Sequence, residues 1–493
     1  MQTTAAHRAA ATEVLIIGTG FGGIGMAIRL KQAGIDDVVL LERGDDVGGC
    51  WRDNTYPGAA CDVPSHLYSF SFEPKSDWSR RYAPQAEILA YLRGCADKHG
   101  LRSRIHTGQE VSELRWDAAT SLWQAATRDG RIWRARFVVT ACGQLSRPLI
   151  PRIEGLGDFA GPQFHSATWR HDVDLTGKRV AVIGTGASAI QFIPQTAQRA
   201  AQVTVFQRTP PYVIPKKDRP YARWEQRLFA CVPGARLAAR AWLYASHEWR
   251  ALAFTRYPAL LKVAQWDALR RLRAQVADPA LRRKLTPGYP IGCKRVLLSN
   301  DFLPGLQRPN VELVTESISR VTPAGVQTAD GRLHEADVLI HGTGFAATEF
   351  LTPMTVHGRD GHELNADWKD GAEAFLGISV PGYPNFFMLY GPNTNLGHSS
   401  IVYMLESQIT HVLRCLRRVR DEGAATIEVQ PQAHRAFNDT VQQHIHRTVW
   451  DGGCRSWYLT ESGRNTVNWP GFTFVYRRLA GRLKAGDYRL ASS

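Results

Sequence analysis

Residues 159–192 read FAGPQFHSATWRHDVDLTGKRVAVIGTGASAIQF, a connecting segment that runs into a buried strand and then a glycine-rich turn. The apolar run at 180–183 fits a parallel strand covered on both faces. Gly184-Thr185-Gly186-x-Ser188-Ala189 follows it directly and opens a helix. That strand–turn–helix context turns a weak glycine pattern into a dinucleotide fingerprint. Glycines permit the tight turn and the close approach of backbone to a pyrophosphate, whose charge the amides of the helix N-terminus stabilise.

The same plan stands earlier in the chain. Residues 13–17 read as a strand, and Gly18-x-Gly20-Phe21-x-Gly23 turns it into a helix that ends at Ala33 with Gly34 as cap. A second strand at 38–41 ends at Glu42, which lies 42 − 18 = 24 positions after the first glycine. That is close to the ~20 expected of an acid that accepts ribose hydroxyls. A carboxylate there repels a 2′-phosphate, so the first half is expected to hold the adenosine of FAD, with Arg43 beside it.

In the second half the corresponding strand, 203–206, ends in Gln207-Arg208-Thr209 where the first half has Glu42-Arg43-Gly44. Neutral Gln207 removes the repulsion and Arg208 can grip a phosphate bidentately, so the second cofactor is expected to be NADPH. Each half continues with a hairpin signal, Asp129-Gly130 and Asp330-Gly331, and then a strand ending in small residues at Gly143 and Gly344. The intervals agree, 143 − 130 = 13 and 344 − 331 = 13. The expected fold class is therefore α/β, with two Rossmann-type dinucleotide-binding domains, one for FAD and one for NADPH.

A chain of 493 residues with 44% apolar content exceeds one hydrophobic core, so two or three domains are expected. Residues 1–12 lack an apolar core region, and no uncharged run approaches the ~18 apolar residues of a membrane span, which points to a cytoplasmic protein. The eight cysteines include no C-x-x-C pair and no metal-ligand spacing, and read as reduced packing residues with no metal site. A disulfide-reductase flavoenzyme would need such a pair. Charge is uneven: residues 216–294, of mostly helical composition, hold 17 Lys or Arg and 5 Asp or Glu, so 17 − 5 = +12 of the formal +15 lies there. No nucleic-acid motif accompanies it, and no nucleic-acid partner is expected. The segment reads either as a solvated basic face or as a tryptophan-bearing surface in weak contact with anionic membrane.

Upstream of the second glycine turn, Phe159-x-Gly161-x-x-x-His165-x-x-x-Trp169 resembles the fingerprint of type I Baeyer–Villiger monooxygenases, although Arg170 stands where the family usually has Pro or Asp. The resemblance implies that His165 and Trp169 couple the two domains. Residues 48–72, GGCWRDNTYPGAACDVPSHLYSFSF, are similar to the family's segment over the isoalloxazine, which implies that Gly49, Trp51, Tyr56, Asp62 and Tyr68 line the flavin. Asp62 has a plainer reading as a turn or cap residue ahead of Val63-Pro64. Gly288-Tyr289-Pro290-Ile291-Gly292-Cys293-Lys294-Arg295 is also similar, and Arg295 matches the active-site arginine. The resemblance also implies Lys294 and Val111 as cofactor contacts. The tail resembles the loop over the nicotinamide, with Trp457 as contact.

The resemblance covers nearly the whole chain, with the best matches to the 4-hydroxyacetophenone and cyclohexanone monooxygenase types. It implies that O2 and NADPH are consumed at FAD and that one oxygen atom is inserted beside a ketone carbonyl to give an ester or lactone. Catalysis would rest on Arg295 helped by Asp62. Sulfide or amine oxygenation is the nearest alternative, and an NADPH reductase serving a protein partner a further one. The expected domains are an FAD part at 1–147, an NADPH part at 148–215, a helical insertion at 216–294, the second NADPH part at 295–380, and a return to the FAD domain at 381–493. The sequence leaves the ketone and the oligomeric state open.

Overall fold

The computed structural model describes residues 11–454 and 456–492. The reading of residues 1–12 falls mostly on residues 1–10, which lie outside the described residues. The first sheet is built around Thr12–Ile17, which pairs in parallel with Val38–Leu41 on one side and Ile132–Thr140 on the other. Its order is Thr355–His357, Val111–Asp117, Leu122–Thr127, Ile132–Thr140, Thr12–Ile17, Val38–Leu41, Ile105–His106, with Phe386–Met388 also paired to Ile132–Thr140. Val14, Leu15 and Ile16 are fully buried, as a central strand covered on both faces requires.

The second sheet runs Val311–Val314, Gln202–Phe206, Arg179–Ile183, Val338–His341, Gln163–His165, all parallel. Both expected hairpins form, between Leu122–Thr127 and Ile132–Thr140 and between Gly325–Thr328 and Leu333–Glu335. The halves then differ. Ile132–Thr140 is one continuous strand, whereas in the second half the chain breaks at Ala336-Asp337 before entering the parallel sheet as Val338–His341. At this break the Asp337 carboxylate accepts both the backbone N–H and the guanidinium of Arg179.

Three further features depart from the sequence reading. The segment expected to be a linker contains an edge strand of the second sheet, Gln163–His165. The return to the first sheet begins at Thr355–His357, ahead of residue 381. Cys293 and Cys454, expected to be reduced, form a disulfide across a sequence separation of 161 with Cα atoms 6.2 Å apart. Spacing along the chain carries no sign of a pair so distant.

Residues 216–294 are largely helical, with Arg223–Cys231, Ala235–Glu248, Leu261–Gln275 and Pro279–Leu285. Val213–Ile214 pairs in parallel with Leu297–Leu298, closing the insertion at its base. That pairing holds Arg295, two residues earlier, against the body of the protein.

Candidate active site

The two glycine turns are built alike. Gly18 has φ +101° and a Cβ there would lie 2.6 Å from the carbonyl of Ala141, while Gly184 has φ +107° and a Cβ would lie 2.4 Å from the carbonyl of Gly342. Both conformations and both approaches exclude side chains. The small residues at the end of the strand after each hairpin thus abut the first glycine of each turn. A Cβ on Gly20 or Gly186 would meet nothing closer than 3.7 Å and 3.8 Å respectively. Those middle glycines leave the open face on which a pyrophosphate fits. Gly23 is locked from below, its Cβ direction ending 1.9 Å from the carbonyl of Gly18, and Gly49 stacks on Gly20.

Glu42 ends its strand beside the first turn and is buried. Its carboxylate accepts the Thr19 N–H at 3.0 Å, the Thr19 hydroxyl at 2.6 Å and the Gly44 N–H at 2.9 Å, and pairs with Arg52 at 2.8 Å. Burial opposes its ionisation, but the Thr19 hydroxyl and Arg52 outweigh that and hold the carboxyl low. Arg52 is itself held in place, donating to the Asp46 carbonyl at 2.5 Å and to the Asp53 carboxylate at 2.9 Å. Val111 opens its strand beside this end of the site, next to the Gln109 N–H that donates to the Glu42 carbonyl at 2.8 Å. Arg43 points outward to Asp53 and the carbonyl of Ser146.

At the second turn Gln207 is buried and donates to the carbonyl of Lys284 at 2.8 Å, leaving its side-chain oxygen without a partner. Arg208 is exposed beside Thr209. Lys294 stands over the ring of Tyr289 at 4.8 Å, and burial together with the nearby Arg208 charge lowers its pKa. Two cations side by side, beside an amide where the first half has a carboxylate, make a fitting seat for a phosphate.

The pair expected to carry the chemistry forms. Arg295 donates to the Asp62 carboxylate at 2.5 Å, with the two side chains 30% and 28% accessible. The Asp62 charge raises the Arg295 pKa against the cost of burial. Burial opposes ionisation of Asp62, and Arg295 with Lys216 outweighs it, so this carboxyl lies below its usual 3.8. Tyr390 and Tyr458 border the pair, and burial pushes both phenols up, Tyr458 to about 12. Sequence reasoning missed Thr19, Arg52, Lys216, Tyr390 and Tyr458 as neighbours of the key carboxylates. None has a spacing or motif that marks it, although Tyr390 opens the Gly391-Pro392 turn.

Other expected residues fall into distinct places. Trp51 donates to the Tyr68 hydroxyl at 3.2 Å, and their rings meet edge to face at 5.7 Å next to the first turn. Tyr56 packs in the core of the second half: its hydroxyl donates to Gln191 at 3.0 Å and its ring meets Phe192. The segment at 48–72 therefore bridges the two folds rather than only lining the first. Ser188 and Ala189 begin the helix Ala189–Thr196 at the second turn.

His165 lies at the end of its edge strand, 5.6 Å from the ring of Phe345 in the segment leaving the second sheet. Its Nδ1 accepts the Ala167 N–H at 3.0 Å, and its Nε2 is buried without a partner. Phe159 is buried, a Cβ on Gly161 would lie 2.3 Å from the carbonyl of Asp337, and Trp169 packs on Phe164 and Phe192. Trp457 is half-buried with Tyr212, Phe254 and Tyr289 around the Cys293–Cys454 link, so the C-terminal loop closes over the segment that carries Lys294 and Arg295.

Residues 15–228 match the family described as pyridine nucleotide-disulphide oxidoreductase. A protein of Pseudomonas aeruginosa named Baeyer-Villiger monooxygenase is 46% identical over 483 residues, 98% of this chain and 92% of that one. The closed crystal structure of cyclohexanone monooxygenase superposes with a TM-score of 0.89 at 29% identity, and OTEMO in complex with FAD and NADP with 0.87 at 28%. Both cover 98% of this chain and 100% of their own. With two dinucleotide-type folds meeting at an arginine–carboxylate pair and this near-complete likeness in sequence, the chain belongs to the Baeyer–Villiger monooxygenase family.

Proposed function

We propose that this chain uses FAD, NADPH and O2 to convert a small ketone to an ester or lactone, with Arg295 and Asp62 as the residues that act on the reacting oxygen. The Arg295–Asp62 pair, half-buried and joined at 2.5 Å, carries this reading. Bound FAD, once reduced by NADPH, supplies the activation of O2. Arg295 stays protonated at any working pH and offers several donors to the negative charge that develops on the substrate's carbonyl oxygen. Asp62 fixes the guanidinium and offsets its charge while no ketone is bound. Tyr390 and Tyr458 border the pair as neutral hydroxyls. The first turn with Glu42 and Val111 would hold the adenosine of FAD, Gly49, Trp51 and Tyr68 would serve its ring system, and Arg208, Thr209 and Lys294 would hold the 2′-phosphate of NADPH. Trp457 would contact the nicotinamide.

Ketone-stimulated O2 uptake tests the reading, with a product heavier than the ketone by one oxygen atom. Uptake indifferent to every ketone and sulfide offered, with electrons passed to an added protein acceptor, would replace it.

The lowered carboxyl of Asp62 sets a pH expectation. A group whose pKa is depressed in the folded state contributes above its unfolded value and loses that contribution as pH falls through the folded one. The pair is therefore intact above about pH 5. Wild type and Asp62→Asn should show ketone turnover of the same pH shape above that point. An acid limb present only in wild type would contradict this.

His165 and Trp169 are proposed as the coupling between the halves, supported by the contact of His165 with the segment leaving the second sheet. His165→Ala should keep FAD bound and slow turnover roughly several-fold, as expected when a packed switch contact is lost. Turnover at the wild-type rate, measured by NADPH consumption with ketone, would reduce the motif to packing.

A further inference from the structure

The helix Ala235–Glu248 is inside out. Its exposed positions, with Trp249 just beyond, read Leu237, Ala238, Ala241, Trp242, Ala245 and Trp249, without a charge or a hydrogen-bonding side chain other than the indoles. Its ionic residues face inward instead. Arg240 donates to the carbonyls of His66 and Ser69, at 2.8 Å each, and buried Glu248 accepts both the N–H and the hydroxyl of Thr473. A surface helix of a soluble domain normally has the opposite arrangement.

The neighbouring helices extend the same face. Arg223–Cys231 packs against this helix and exposes Trp224 and Leu228. Thr473–Ala480, joined to it through Thr473, exposes Phe474, Val475 and Leu479. Of the 17 large apolar side chains exposed among the described residues, 13 lie within 224–266 or 474–479. Trp224, Trp242, Trp249 and Trp266 are 66%, 74%, 61% and 64% exposed. Isolated apolar side chains at a surface need no explanation, but a concentration of this kind does.

The charges on this face identify its partner. Arg223 and Arg227 on one flank and Arg477 and Arg478 on the other are exposed, whereas the acidic residues of these three helices, Glu225 and Glu248, are both buried. We infer that the three helices form a docking surface for an anionic lipid bilayer, with Trp242 and Trp249 entering the headgroup region and the arginines meeting lipid phosphates. Indoles favour that region, and Lys or Arg near an anionic bilayer is attracted to its surface charge. A second copy of the chain fits less well, because a two-fold contact through this face brings arginine against arginine without an acid to separate them. No helix among the described residues is long and apolar enough to cross a membrane, so the contact is with the bilayer surface.

Flotation of the FAD-loaded protein with vesicles of phosphatidylcholine alone, and of phosphatidylcholine mixed with phosphatidylglycerol, tests the inference. The protein should float with the mixed vesicles, about tenfold or more in preference to the neutral ones, and lose this preference at high salt. Trp242→Glu should lower binding by about tenfold or more while oxidation of a water-soluble ketone stays unchanged. Arg223→Gln combined with Arg227→Gln should weaken binding to the mixed vesicles only, which keeps the test open if the first variant fails to fold. Failure to float with either vesicle, or equal binding to both, overturns the inference. So does a dimer in sedimentation that Trp242→Glu dissociates, since the face would then belong to a second copy.

Discussion

Replacing Arg295 by alanine should leave FAD bound and NADPH oxidation measurable, while ketone oxygenation falls by ~10²- to 10³-fold, about 3–4 kcal/mol, and hydrogen peroxide is released instead. The expectation follows from where charge appears. Negative charge collects on oxygen as the carbonyl is attacked, and a fixed, partly desolvated guanidinium stabilises it without reorganisation. The structure supplies the fixing element, because the Asp62 carboxylate accepts from Arg295 at 2.5 Å across a sequence separation of 233. Arg295→Lys keeps the charge but loses the fork, and should recover only part of the rate. Asp62→Ala should fall between wild type and Arg295→Ala, since the cation remains but is no longer held. Ester formation at the wild-type rate in Arg295→Ala would remove this mechanism, with or without the peroxide.

Removing the Arg208 guanidinium should cost roughly 10- to 100-fold in NADPH affinity, from ~1.5–3 kcal/mol per charge-assisted bond, and little for NADH. Lys294 lies close enough to Arg208 for the two charges to oppose each other, so a phosphate bound between them relieves a repulsion as well as forming bonds. Lys294→Ala should therefore weaken NADPH in the same direction, and the two losses should not add. Titration of each variant with both cofactors, followed by flavin reduction, checks the assignment. Equal losses for NADPH and NADH would place the phosphate elsewhere.

Both glycine turns, the acid-for-glutamine exchange between Glu42 and Gln207, and both hairpins were legible in the sequence, because each depends on local chemistry. A tight turn needs glycine, a ribose needs an acceptor, and a buried parallel strand needs an uninterrupted apolar run, so residue type and short spacing carry the information. Two other segments similar to the family's, 48–72 and 288–295, added Asp62 and Arg295 by resemblance.

What the sequence could not determine is what depends on chain segments far apart in number. The Arg52 and Thr19 hold on Glu42, the Cys293–Cys454 link, the placement of Tyr56 against Gln191, and the setting of Tyr390 and Tyr458 beside Arg295 arise from packing across the two folds. The outward-facing Trp242 and Trp249 belong to the same class. Periodicity shows that a helix has an apolar stripe, but which way that stripe points is decided by what its other face holds, here Arg240 on the carbonyls of His66 and Ser69 and Glu248 on Thr473.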